Sequence, residues 1–223
     1  MKEQVKTRKS WRDVTINEYF DLLEAMKDGL EDYEKEVKMI SFANCMDESE
    51  VWNLDIETFK RLSRESRWMS EFEIRPDVKF RTIKIGETKC DVKVNMQEFT
   101  VAQYIDFQTF WPRRKEMDKY MGNILACFIV PHGMKYADGY DIQNLAESIR
   151  DSVDIMTANE IILFFLRSSL DSTKAMLTYL RLMTERCSRK TKDPEKKEKL
   201  EKAAEEIRAL QKSILDGFRS LTE

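Results

Sequence analysis

The sequence predicts a mainly α protein: a helical bundle carrying one small β-hairpin at about residues 80–95 and ending in a long C-terminal αα-hairpin. Three observations predict it. A helix-start phrase recurs as Val14-Thr15-Ile16-Asn17-Glu18-Tyr19, Phe99-Thr100-Val101-Ala102-Gln103-Tyr104 and Met156-Thr157-Ala158-Asn159-Glu160-Ile161. In each, a Thr at the N-cap can accept from the N3 amide, the N3 Glu or Gln can reach back to the cap, and the flanking apolar pair forms a staple. The composition agrees: 6 Gly and 4 Pro with 35% charged and 42% hydrophobic residues is the balance of helices with heavily charged outer faces. Finally, apolar spacing switches from a period of 3.6 to one of 2 only between Arg75-Pro76 and Asn95.

The first helix starts at Ile16, and Tyr19, Phe20, Leu22, Leu23, Met26 and Leu30 form its apolar stripe. Gly29 bends or ends it, and Tyr33, Val37 and Ile40 continue the helical period up to a polar break from Asn44 to Ser49. Asp55 then caps a helix, with a Leu54/Phe59 staple, that ends near Trp68-Met69. In the β-like segment Gly86-Glu87-Thr88-Lys89 is the turn, with Ile85 expected opposite Cys90 and Ile83 opposite Val92. A lone ribbon is marginal in water, so its apolar face must meet helices or join a partner's sheet. The second phrase starts a helix that stops before Trp111-Pro112, and another runs from about Lys115 to Ile129 and halts at Pro131. A glycine-bearing loop from Pro131 to Tyr140 precedes Asp141, the N-cap of a short helix reaching Val153 or Ile155.

From Thr157 a long helix is expected to about Cys187, with Leu163, Leu166, Leu170, Leu177 and Leu180 near a heptad seam. Asp193-Pro194 opens a last helix whose seam is Leu200, Ala203, Ile207, Leu210, Ile214, Phe218 and Leu221. Two helices of similar length joined by a short polar linker favour an antiparallel hairpin within the chain over an arm that pairs with another molecule. The expected organisation is therefore a body over 1–155 and a helical hairpin over 156–223. The three phrases are unevenly spaced, so they mark boundaries and not a repeat.

The 223 residues carry a net charge of -3, which excludes an overall polyanion binder, yet the charge is uneven. Residues 1–12 and 186–199 each sum to +4, and such segments can meet nucleic acid or an acidic partner. Cys45, Cys90, Cys127 and Cys187 are far apart with no C-x-x-C pair, and no apolar leader core precedes them. Thiols in a reducing compartment are expected. The longest apolar run, Ile161 to Leu166, is too short for a bilayer span, so the expected location is the cytoplasm, which would be that of a host cell, or a virion assembled there, with no membrane partner.

His132 is the single histidine, which removes paired-His metal sites. Neither phosphate-cradling glycine phrases nor hydrolase, zincin or kinase motifs occur. Asp138, Asp141 and Asn144 lack the twelve-residue calcium-loop pattern. No catalytic, metal or cofactor-binding residue is assigned, and the expectation is a protein that is not an enzyme. Phe107, Phe110, Trp111, Phe164, Phe165 and Tyr179 are read as core. Trp11 is harder to place in a core and is a candidate anchor onto the body or a neighbour.

The segment Thr82-Ile83-Lys84-Ile85-Gly86-Glu87-Thr88-Lys89-Cys90-Asp91-Val92-Lys93-Val94, followed by Phe99 to Tyr104, resembles small proteins of tailed-bacteriophage morphogenesis. In that group, tail-assembly chaperones and small tail or connector components, a short ribbon precedes a T-x-x-Q helix start. The resemblance covers about a quarter of the chain. It implies a structural or assembly protein whose partners are other protein subunits, those of a virion or tail; a homo-oligomer is a separate expectation. The candidate partner contacts are Trp11, Leu200, Ile207, Leu210, Ile214, Phe218 and Leu221. The alternative is a nucleic-acid-associated protein using segments 1–12 and 186–199.

Overall fold

A computed structural model describes residues 7–27, 29–72, 81–93, 95–191 and 193–219. The protein is mainly α with one small antiparallel sheet, as expected. The helices are α1 (Ile16–Ala25), α2 (Asp32–Asn44), α3 (Glu48–Trp52), α4 (Ile56–Glu65), α5 (Val101–Phe110), α6 (Met117–Ala126), α7 (Ile142–Ser152), α8 (Ile155–Lys190) and α9 (Pro194–Arg219). The strands are β1 (Thr82–Ile85), β2 (Thr88–Val92) and β3 (Ile129–Pro131), in the order β1-β2-β3. The chain divides into two compact units, Met1–Phe165 and Leu166–Glu223. The division falls within α8 and not at its start.

Two of the three helix-start phrases cap as expected. Thr15 accepts from the Glu18 amide and Glu18 accepts from the Thr15 amide; Thr100 and Gln103 repeat the exchange at α5. The third phrase is shifted. α8 begins at Ile155, and Asp154 Oδ1 accepts from the Thr157 amide at 2.8 Å, so Asp154 takes the capping place and Thr157 is already in the first turn. The reason is tertiary. Asp154 pairs with Thr15 in an isolated antiparallel bridge, where the Ile16 amide donates to the Val153 carbonyl and the Ile155 amide to the Val14 carbonyl. The cap of one helix is thereby tied to the cap of another.

The hairpin forms where its alternation lies, with a different register. Ile83 faces Cys90 and Ile85 faces Thr88, not Cys90 and Val92 for Ile85 and Ile83. The turn is Gly86-Glu87 alone, and Gly86 at φ +54° supplies the left-handed conformation that a two-residue turn needs at its first position. The expected helix to Ile129 also ends earlier, at Ala126, and Ile129 to Pro131 become a third strand paired with β2. One edge of the ribbon is thus covered from within the chain. α3, unforeseen, fills part of the expected polar break, and it packs Val51 with Val37, Ile40 and Leu62 in a small apolar cluster.

The stretch from Met121 to Pro131 is buried throughout and runs through the middle of the first unit. Around it Phe128 stacks on Phe165 at 4.4 Å between ring centres, and Phe107 meets Phe165 edge-on at 5.0 Å. Asp141 caps α7 and Asp55 caps α4, each accepting from two backbone amides. α6 and α7 approach so closely at Gly122 that a β-carbon there would stand 2.5 Å from the Ala146 carbonyl oxygen. In the second unit α8 and α9 form the expected intramolecular hairpin. Ser188 donates to Glu201 at 3.1 Å, Arg208 to Glu185 at 2.7 Å and Gln211 to Thr178 at 2.9 Å, an antiparallel progression.

Candidate protein-interaction surfaces

The side chains singled out in the sequence separate into those the fold consumes and those it leaves outside. Trp11 is consumed. It is buried in a nest of Tyr19, Trp68 and Phe72, with ring centres 5.4, 5.2 and 5.6 Å away. Of the two expected uses of Trp11, this is the anchor onto the body, and its indole offers no surface to a neighbour. A capping box at Ser10 and Asp13 shapes the turn that presents it.

The flanking basic residues are also engaged. Arg8 donates to Glu18 at 2.6 Å, and Arg12 donates to Glu160 at 2.6 Å and lies 3.8 Å from Asp154. Burial alone would raise the Glu18 carboxyl, but the Thr15 amide and the Arg8 guanidinium outweigh it and hold the carboxyl below its usual range. The Glu160 side chain is 0% exposed, so Arg12 is its neutralising partner. The Glu positions of two helix-start phrases therefore fasten Arg8 and Arg12 to the body. Sequence reading missed this because the partners are 10 and 148 residues apart.

Candidates for chemistry are equally absorbed. His132 Nδ1 lies 2.9 Å from Asp91 Oδ1, and the His132 amide donates to the Lys89 carbonyl, which ties the loop after β3 to β2. The buried Gln103 accepts from the Thr100 amide and donates to the Cys127 carbonyl at 3.1 Å. The Tyr136 hydroxyl donates to Asp106 at 2.8 Å, and burial pushes its pKa far up. Burial also pushes the Cys127 thiol up to about 12, so at neutral pH it holds its proton and lacks nucleophilic character. The four cysteines form no disulfide. No cluster of potential metal ligands occurs among the described residues, and none of their helices is long and apolar enough to cross a membrane.

What remains outside is apolar. On the hairpin, Tyr179 is 62% exposed, Met176 57%, Leu210 50%, Leu180 43% and Met183 40%. Tyr179 and Leu180 had been expected in the core or seam, and neither is. The buried residues between the helices are Leu177, which belongs to the expected seam, and Ser188 and Ala204, which do not. Of the candidate contacts on α9, Leu200 and Ile207 are half-buried and Leu210 is exposed. The side chains of Ile214 and Phe218 lie outside the described residues, and so does Leu221 altogether. In the first unit Val101, Tyr104 and Ile105 make a smaller exposed apolar group on α5. In the basic segment 186–199, Arg186, Arg189, Lys190, Lys196, Lys197 and Lys199 are all exposed.

Comparison with known proteins finds no matching family model, no similar curated sequence and no similar solved structure.

Proposed function

We propose that this is a non-enzymatic structural or assembly protein that binds other protein subunits, of the kind the tailed-phage resemblance implies. The observation that carries the reading is the row Met176, Tyr179, Leu180, Met183 and Leu210, exposed on a two-helix unit. Large apolar side chains held together on the outside of a folded unit cost solubility, and a partner that covers them removes that cost. The buried Tyr136 hydroxyl and Gln103 amide are bonded to Asp106 and to the Cys127 carbonyl, so they serve as contacts within the scaffold.

The test is co-purification of the full chain with the proteins encoded beside its gene, followed by mass measurement of any complex. A defined complex with at least one of them, or a defined self-association, is expected. A strictly monomeric protein that binds none of them overturns the reading. A second reading rests on the exposed basic residues of 186–199 and makes them a contact for nucleic acid. It requires binding at low salt that weakens steeply as salt rises and is lost when Lys190, Lys196 and Lys197 are replaced by Gln.

A further inference from the structure

Met176, Leu180, Met183 and Leu210, all exposed, share one side of the hairpin. At about 100° of rotation per residue, Met176, Leu180 and Met183 are displaced about a quarter to a third of a turn from the buried contact line of α8, Leu177 and Ser188. On α9, Ala203, Ile207 and Leu210 are displaced from buried Ala204 in the same rotational sense along the chain. Because the two helices run antiparallel, equal senses of rotation bring both rows to one face. Tyr179 lies at its rim, and Leu182 lies on the opposite flank.

This face has the properties of one half of a four-helix bundle. It carries no charged side chain along Met176, Leu180, Met183, Ala203, Ile207 and Leu210, so like can meet like without repulsion. Its exposed large side chains are Met176, Leu180, Met183 and Leu210, with Tyr179 at the rim, and covering these and the half-buried ones in a two-fold pair buries on the order of 1,200 Å² in total, the lower bound of specific, stable interfaces. Two helices alone enclose little: among the described residues of Leu166–Glu223, Leu177, Ser188 and Ala204 are buried. Four helices enclose a core.

We infer that the occupant of this face is a second copy of the same chain, the two α8–α9 hairpins joining across a two-fold axis into an antiparallel four-helix bundle. The inference rests on the protein-binding reading above and names its partner. The net charge of +4 over 186–199 in each copy places the two turns at opposite ends of the bundle, where they do not repel.

The experiment is sedimentation equilibrium of the full chain from about 1 to 200 µM, with the variants Leu180→Glu and Met183→Glu. A reversible dimer is expected, weakened at least about thirtyfold in either variant, the factor that corresponds to loss of an interface hot spot. Leu182→Glu should leave the dimer unchanged. Circular dichroism checks that each variant keeps the native helix content, as substitution of exposed side chains should allow. A monomer at every concentration, or a dimer indifferent to Leu180→Glu and Met183→Glu with helix content intact, overturns the inference. In either of those cases a complex with another protein would leave the broader protein-binding reading standing, so the two fail separately.

Discussion

The two compact units handle their apolar residues in opposite ways. In Met1–Phe165 nearly every element contributes a fully buried side chain, from Ile16 and Ile40 to Ile124, Ile149 and Phe165. In Leu166–Glu223 the helices bury only Leu177, Ser188 and Ala204 among the described residues, while five large apolar side chains on α8, Met176 to Met183, lie in water. The difference is geometric. The first unit surrounds its central α6–β3 segment with helices and a sheet, whereas a helix pair can shield only the line along which it touches. The lesson is that an equally regular heptad-like pattern produces a core in one place and an unsatisfied surface in the other, depending on how many neighbours the helix has.

The largest expected effect tests the closed unit. Phe165→Ala removes the ring that stacks on Phe128 and meets Phe107, and should destabilise the protein by about 4 kcal/mol, read from urea unfolding. A loss under about 1 kcal/mol would break the comparison by showing that this core is not packed as described. Gly122→Ala should cost about 2 kcal/mol in the same assay, because its methyl would press on the Ala146 carbonyl, a backbone atom of α7. A smaller effect follows from the caps. Thr15→Ala should cost about 1 kcal/mol, and Thr157→Ala much less, since Asp154 caps α8. Equal losses would restore Thr157 to the capping role.

Acid should weaken the first unit through Glu18. Glu18 has its carboxyl held below the usual range in the folded state, so its contribution is fully present above the unfolded value near 4.5 and is lost as pH falls through the folded one. Unfolding free energy measured across pH 3 to 6 should therefore fall toward the acid end less steeply in Glu18→Gln than in the parent chain. The smallest effect belongs to the open unit. Leu182→Ala, at an exposed position away from the proposed interface, should change stability by no more than about 0.5 kcal/mol. A loss of several times that would mean the flank of α8 is covered after all.

The elements of the fold were legible where the determinant is local. Thr15 with Glu18, Thr100 with Gln103, Asp55 and Asp141 mark helix starts through bonds that close within three residues, and the alternation from Ile83 to Val92 marks the ribbon. The register of that ribbon was not legible, because two- and four-residue turns both suit Gly86 and the choice also depends on β3 pairing with β2. The candidate surface was half legible. Leu210 and its row were visible as an apolar stripe, but Leu180 and Tyr179 were placed inside, since a periodic pattern does not say which part of a stripe a single neighbour will cover.

Bonds between residues a few places apart set the helix starts capped by Thr15, Asp55, Thr100 and Asp141, and the apolar stripes mark a two-helix C-terminal unit. Only the tertiary structure decided that Asp154 displaces Thr157 as cap, that Trp11 with Arg8 and Arg12 closes onto the body, and that Met176, Leu180 and Met183 face outward. Each of these depends on groups distant in the chain. Asp154 meets Thr15, and Arg12 meets Glu160, only when segments more than a hundred residues apart are brought together, so no local pattern can specify them.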